Sequence, residues 1–221
     1  ETDLDPGTGY KKLYVQAGNV RNRGVEMTLG FHKKLGEFDY NTSLTATANR
    51  NKIIKLASGV TNPISGQVFD LTDIRKGRFR LREGGELGDV YASERIKRDA
   101  NGYVEYTQGQ SLVTEPTEPY KLGSVNAKWN FGWKHGFSYK GFDLNVLFTA
   151  RLGGIVISKT QAALDKFGVS QASADARDAG GVTIGQGLNI DPQKYYDAIY
   201  NLDSYYVYSA TNVRLQELSL S

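Results

Sequence analysis

Two pairs of carboxylates carry the side chains best placed, by type and spacing, for chemistry. Glu83/Glu86 and Asp70/Asp73 each set two acids three residues apart, an arrangement suited to general acid–base work. They stand among Arg75, Arg78, Arg80 and Arg82, so a solvated charge network is the reading the pattern favours. Gly84-Gly85-Glu86-Leu87-Gly88 has the glycine content of a phosphate-cradling loop. No buried strand precedes it and no Lys-Ser/Thr follows, so that chemistry is rejected. His32 and His135, the two histidines, cannot build a metal site unaided. Cysteine is absent, which removes a thiol nucleophile, a disulfide framework and a cysteine zinc site. Trp129, Trp133, Phe137 and Tyr139 could stack on sugar rings, but their phase argues for another role. The expectation is a protein that is not an enzyme. Catalytic, cofactor-binding and metal residues are none, no cofactor is called for, and substrate-binding residues are unknown.

The elements that hold these side chains announce themselves by alternation. From Ser124 to Lys140 the odd positions are Val125, Ala127, Trp129, Phe131, Trp133, His135, Phe137 and Tyr139, while the even positions are polar or small. A period of two is a strand, because successive side chains leave a strand on opposite faces. Ordinary strands run about 5–6 residues. A run this long and aromatic suits a transmembrane barrel strand of roughly 9–11 tilted residues. Lys140-Gly141 fits a two-residue hairpin loop, and beyond it the apolar set moves to Phe142, Leu144, Val146, Phe148 and Ala150. The predicted register pairs Tyr139 with Phe142, Phe137 with Leu144, His135 with Val146, Trp133 with Phe148 and Phe131 with Ala150. A one-residue slip would scramble both faces.

A second hairpin is predicted near the N-terminus. Val25, Met27, Leu29 and Phe31 are followed by Phe38, Tyr40, Thr42, Leu44, Ala46 and Ala48, with Lys33-Lys34-Leu35-Gly36 as the turn. Pairing Phe31 with Phe38 sets Leu29 opposite Tyr40, Met27 opposite Thr42 and Val25 opposite Leu44. The other face, with Glu26, Thr28, Gly30 and His32 against Ser43, Asn41, Asp39 and Glu37, must see water. His32 is expected near Glu37 on that wet side. His135 is expected on the lipid side beside Trp133 and Tyr139, within an aromatic girdle.

Composition agrees with many turns and broad strands. The 221 residues hold 25 Gly and 14 Tyr but one Met, and are 39% hydrophobic. Mean hydropathy is −0.45, and no window approaches a transmembrane helix; alternation hides a barrel's lipid face from such an average. The net charge of +3 is small and dispersed, so a nucleic-acid surface is not indicated. The start is polar, with no signal peptide before Glu1, and a strand from about Tyr205 still runs at Ser221. The expectation is a fragment of a longer protein. A phase shift between Leu215 and Leu218 predicts a bulge near Gln216-Glu217. Arg50 to about Leu122 and about Gly153 to Ser204 are long connections, against short turns at the other end. Within them, Val68–Thr72 and Tyr103–Tyr106 read as short strands and Asp99–Gly102 as a turn. Thr160–Phe167 reads as a helix with Ala163, Leu164 and Phe167 on one side.

Several segments, in order, carry a family resemblance. Asn22-Arg23-Gly24-Val25-Glu26 resembles the N-x-G-[VI]-E signature of TonB-dependent outer-membrane receptors. Arg82-Glu83-Gly84-Gly85-Glu86-Leu87-Gly88-Asp89-Val90-Tyr91 resembles the EG-x-x-G-x-x-Y element of the SusC/RagA branch. Leu122-Gly123-Ser124-Val125-Asn126 through Trp129 resembles its LGSVNPxW segment, with Ala127 in place of the usual Pro. Phe137-Ser138-Tyr139-Lys140-Gly141-Phe142-Asp143-Leu144 is similar to its F-x-YKxF-x-L hairpin. Arg151–Gly154 and Ala210–Leu220 match later elements. Each motif is weak alone; six in family order over nearly the whole chain are specific.

The resemblance implies an all-β fold of antiparallel up-and-down strands, drawn from a transmembrane barrel of about 22 strands with long extracellular loops. It implies TonB-dependent import of a large nutrient, an oligosaccharide or glycan first and a peptide second, across the outer membrane of Bacteroidetes-type bacteria. The implied partners are a SusD-like surface lipoprotein, TonB acting through an N-terminal plug region, outer-membrane lipid and the nutrient. Residues 1–221 would be a partial barrel domain: a hairpin at about 22–49, a loop at about 50–122, a hairpin at about 124–152, a loop at about 153–204 and a strand at about 205–221. The plug and the C-terminal strands would be absent. Alternation alone is equally natural in a soluble β-sandwich carbohydrate-binding module, which must pack its apolar face on a second sheet. A polysaccharide-degrading β-protein would need two placed carboxylates on a concave surface, and none is named.

Overall fold

A computed structural model describes residues 2–3, 12–13, 18–57, 59–61, 66, 68–69, 73–107, 111–185 and 188–221. The chain divides into two compact units. The first comprises Glu1–Asp89, Ser124–Gly154 and Ala210–Ser221. Its centre is a sheet of five strands: β1 (Gly18–Leu35), β2 (Phe38–Leu56), β3 (Trp129–Tyr139), β4 (Phe142–Leu152) and β5 (Asn212–Leu220). They lie side by side in chain order, each antiparallel to its neighbour. Short turns join β1 to β2 and β3 to β4 at one end; the long connections leave from the other. Eleven residues at about 3.3 Å each, tilted by about 35–45°, project to roughly 26–30 Å, the depth of a bilayer's hydrocarbon.

The β3–β4 hairpin has the predicted register throughout, from Tyr139–Phe142 to Phe131–Ala150 on one face and Ser138–Asp143 to Asn130–Arg151 on the other. Its turn residues Lys140 and Gly141 both take positive φ, 50° and 86°, the conformation a right-twisted two-residue hairpin demands. The predicted bulge is also present: Glu217 opposes Leu147 and Leu215 opposes Phe148, leaving Gln216 as the extra residue. That insertion returns Val213, Leu215, Leu218 and Leu220 to one face despite the phase change.

The β1–β2 hairpin corrects the predicted pairing. Leu35, not Phe31, opposes Phe38, so Leu29 pairs with Leu44, Met27 with Ala46 and Val25 with Ala48. Gly36-Glu37 is the turn, with Gly36 at φ 62°, and Lys33 to Leu35 belong to the strand. The polar Lys33 near the turn hid the strand's continuation; its long aliphatic stem can lie along the apolar face while the ammonium reaches the interface. The displacement is four residues, an even number, so every side chain keeps its assigned face. The hairpin is also longer than about 22–49, running from Gly18 to Leu56.

Beyond the β3 ladder the open edge of β2 is capped by the glycine-rich segment. Ile53 N–H donates to Gly85 O and Gly84 N–H to Ile53 O, both at 2.8 Å, and Leu87 N–H donates to Asn51 Oδ1 at 2.7 Å. A short hairpin, Asp73–Lys76 against Phe79–Arg82, precedes it. Val68–Phe69 pairs with Val60–Thr61, while Asp70, Leu71 and Thr72 lie outside the described residues.

The second unit, Val90–Gly123 with Ile155–Ser209, has its own apolar core. Ile96, Leu112, Ala162, Ala176, Ile190, Tyr196, Ile199, Leu202 and Tyr206 are buried together. Three eight-residue helices feed it: α1 (Lys159–Lys166), α2 (Gln171–Asp178) and α3 (Pro192–Ile199). Their first-turn amides are met by Ser158, Ser170 and Asp191 side chains. The predicted helix therefore forms, but its inner face is Ala162 and Asp165; Leu164 and Phe167 are exposed. Asp165 tolerates burial because Gln161 Nε2 donates to its carboxylate at 2.8 Å. The Asp99–Gly102 turn is present, closed by Gly102 N–H to Asp99 O at 3.0 Å. Val104 and Tyr106 make single bridges, to Arg98 and Leu112, rather than a strand. The final strand is broken: Asp203–Tyr206 is a 3-10 turn, Val207–Ser209 pairs with Ile155–Ile157, and β5 starts at Asn212.

Candidate functional site: a wall with one apolar and one wet face

Register places every long side chain of the five strands on one of two surfaces. On the first, β3 and β4 contribute Trp129 to Tyr139 and Phe142 to Leu152 in alternation, β5 adds Leu220, Leu218, Leu215 and Val213, and β2 and β1 add Leu44, Ala46, Leu29 and Met27. Phe142, Val213 and Leu220 are 67%, 72% and 73% exposed. No second sheet covers this surface among the described residues, which is the opposite of what a sandwich requires.

Between β2 and β3, polar atoms within the aromatic band of that surface are paired. The Tyr40 hydroxyl and His135 Nδ1 are 2.8 Å apart, Trp133 Nε1 donates to Thr42 Oγ1 at 3.1 Å, and Thr42 Oγ1 donates to Lys134 O at 2.8 Å. Rings gather at both ends of the band. Tyr40 stacks on Phe137 at 4.9 Å toward the short turns, and Trp129 on Phe131 at 5.9 Å toward the long loops. His135 thus sits on the predicted face, stacked with Phe137 and 4.4 Å from the Trp133 ring.

The second surface carries Glu26 opposite Thr47, Thr28 opposite Thr45, His32 opposite Asn41, Asn145 between Gly136 and Ser219, and Thr149 between Gly132 and Arg214. Leu147, flanked by Lys134 and Glu217, and the Val20–Ile53 pair are apolar exceptions on it. His32 pairs with Asp39 at 2.7 Å rather than with Glu37, because the corrected register brings Asp39 alongside; Glu37, in the turn, meets Lys140 at 3.4 Å. Gly24 has a structural reason: a Cβ there would stand 2.6 Å from Ala48 O. The close approach of β1 and β2 requires glycine.

The acid–arginine cluster is a charge network. Asp73 joins Arg80 and Arg82, and the Arg80 hydrogen bond, helped by Arg82, holds its carboxyl down at about 2. Glu83 accepts from Leu56 N–H at 2.8 Å, and Glu86 N–H donates to Asp89. Asp70 lies outside the described residues. In the second unit, Arg95, Ile96, Arg98, Asp99, Tyr120, Ser204 and Tyr205 line a cleft of about 490 Å³. Arg95 bonds Glu115 at 2.8 Å, Arg98 donates to Gly102 O, and burial pushes the Tyr205 phenol upward. No sequence motif marks this cleft; its residues come from three separate stretches. Among the described residues no group of three or more His, Cys, Asp or Glu stands together as metal ligands do.

No family model matches the chain. TonB-dependent receptor P3 of Formosa agariphila is 24% identical over 96% of this chain, which spans 22% of that receptor. The RagAB peptide transporter superposes with a TM-score of 0.64 at 19% identity, over 99% of this chain and 24% of that one. The RagAB peptide importer in its closed-closed state gives 0.59 at 18% identity, over 98% and 24%. The chain therefore spans less than a quarter of the length of these relatives. In sequence, almost end to end, the chain resembles a TonB-dependent receptor of the SusC/RagA-like kind, and its antiparallel strands share the fold of the corresponding part of the RagAB structures.

Proposed function

We propose that this chain supplies part of the wall and outer loops of an outer-membrane importer that moves a large hydrated nutrient. The observation that carries the reading is the division of one continuous sheet into an apolar surface with paired polar atoms and a surface of amides, hydroxyls and charges. Such a wall separates lipid from an aqueous path. The cargo would meet the wet surface and the loop unit, whose cleft offers guanidinium donors and phenol rings to hydroxylated or carboxylated solutes. An oligosaccharide is the leading cargo. A peptide is the second reading, favoured by the likeness to the RagAB peptide transporter. Opening would be driven by TonB through a plug region, with a SusD-like lipoprotein closing the outer mouth.

These 221 residues hold no cysteine, so single cysteines placed here test the reading in an intact receptor whose other cysteines, if any, are replaced. Ser43→Cys and Thr45→Cys should react with a water-soluble, membrane-impermeant thiol reagent admitted to the lumen, and the adducts should slow TonB-dependent uptake. Leu44→Cys, between them, should react only with a lipid-soluble reagent. Equal labelling of all three by the soluble reagent would remove the lumen assignment. Competition of labelled oligosaccharide uptake by unlabelled peptides separates the two cargo readings.

A further inference from the structure

The apolar surface of β1 and β2 changes character sharply at its long-loop end. Past the Val25–Ala48 pair, the same face continues with Arg23 opposite Arg50 and then Arg21 opposite Lys52. Directly opposed side chains have Cβ atoms about 4.5–5.5 Å apart, and the next pair lies about 7 Å further along. Four cations therefore share one small outward patch in two like-charge pairs, an arrangement that destabilises a sheet unless an anion sits on it. All four are exposed. None is in an ion pair among the described residues, and Glu26, the acid on the same strand, is on the opposite surface against Thr47.

Height decides what the anion is. The last rung of the β2–β3 ladder is Thr47–Asn130, and the stacked Trp129 and Phe131 mark the aromatic level there. Arg50 is three residues beyond Thr47, or about 10 Å along the strand and about 7 Å in height at a 45° tilt; Lys52 is about 12 Å up. The polar layer on each side of a bilayer is roughly 5–8 Å thick. The backbone of the lower pair thus falls within the headgroups and that of the upper pair about 4 Å or more beyond them, from where long Arg and Lys side chains can reach back. The patch faces away from the wet surface, so transported cargo does not reach it.

From this juxtaposition we propose that Arg21, Arg23, Arg50 and Lys52 form a binding site for the phosphate groups of outer-leaflet lipid. Arginine forks engage phosphate oxygens two at a time, and the apolar side chains below, Val25 and Leu29 among them, meet the acyl chains of the same lipid. The site rests on the barrel reading above.

The test uses the intact receptor in detergent, with phosphorylated lipid A and its dephosphorylated form as probes, and native mass spectrometry to count retained lipid. The wild type should retain the phosphorylated lipid and lose it on dephosphorylation. R21Q/R23Q/R50Q/K52Q should weaken retention about tenfold or more, given roughly fivefold per basic side chain at an anionic surface before screening. Lys134→Gln, on the wet surface, should retain lipid as the wild type does. Equal retention by the quadruple variant, or of both lipids by the wild type, overturns the proposal. So does complete displacement by equimolar inorganic phosphate, which would make the patch a free-anion site. Heat-dependent gel mobility reports barrel folding separately: a wild-type receptor that never inserts into bilayers defeats the barrel reading itself, whereas a folded one with unselective retention defeats only the lipid site.

Discussion

If the apolar surface faces lipid, as proposed, a polar atom there has no water to bond, and Tyr40 and His135 stabilise the wall mainly by meeting each other. Their 2.8 Å contact joins β2 to β3 on the apolar surface. Removing one partner should cost more than removing both, because the survivor keeps its desolvation penalty of about 1–3 kcal/mol. His135→Phe alone is expected to lower stability by that amount, and Tyr40→Phe/His135→Phe to recover most of it, read by urea unfolding of the receptor in vesicles. Simple additivity of the two single changes would show that the pair is not coupled. Outside the wall, Asp73 obeys a different logic. Its folded carboxyl is lowered from 3.8 to about 2, first by Arg80 and then by Arg82. A depressed acid stabilises the fold above its ordinary value, and that contribution disappears as pH falls through about 2. Amide protection factors across Asp73–Arg82, which allow for the intrinsic slowing of exchange in acid, should therefore fall on acidification, while Asp73→Asn should be less protected already at neutral pH and lack this acid step. A parallel acid response in both proteins would remove Asp73 from the explanation.

Strands show how much of this structure pattern alone can carry. Alternation sets parity, so faces were legible even where pairing was not: the β1–β2 register moved by four residues and no side chain changed sides. Register itself comes from the turn. Lys140-Gly141 is bounded by aromatics on both strands and could be placed, whereas Lys33 broke the apolar run and moved the apparent turn away from Gly36-Glu37. Parity yields a sharp prediction for neighbours in β4. Val146, between His135 and Leu218, lies mid-wall, so Val146→Arg should cost about 2–4 kcal/mol, while Asn145→Arg, between Gly136 and Ser219, should cost little. Folding into vesicles with a denaturant titration measures both, and equal tolerance would defeat the two faces. Helices were harder. Two turns give too few apolar positions to fix a phase, so α1 was legible as a helix but not by its inner face. Ser158-Lys159-Thr160-Gln161, Ser170 and Asp191-Pro192 are the start signals that mark all three. The cleft around Arg98 and Tyr205 left no trace in sequence because only the folded loops bring its residues together.

At the scale of the whole chain, the proposed function gives the two units different work, a transport wall for the first and a recognition surface for the second. Strands in lipid are held by a continuous hydrogen-bonded ladder and cannot vary without exposing backbone. Loops that carry specificity must vary, and a loop of this length is stable only if it builds a core of its own. Ile199 sits in that core, 4% exposed, with Tyr196, Leu202 and Tyr206 buried in the same cluster. Ile199→Ala should cost about 2–5 kcal/mol, the range for a large-to-small change in a packed interior. Because Ser204 and Tyr205, which line the cleft, follow α3 directly, the loss should reach cargo binding through the loop unit. Limited proteolysis of the intact receptor is expected to open new sites within residues 155–209, with weaker cargo binding and an unchanged heat-dependent gel shift for the barrel. Loss of the gel shift together with the loop cleavage would mean that the wall depends on the loop core, and that recognition and membrane insertion are not separable in this protein.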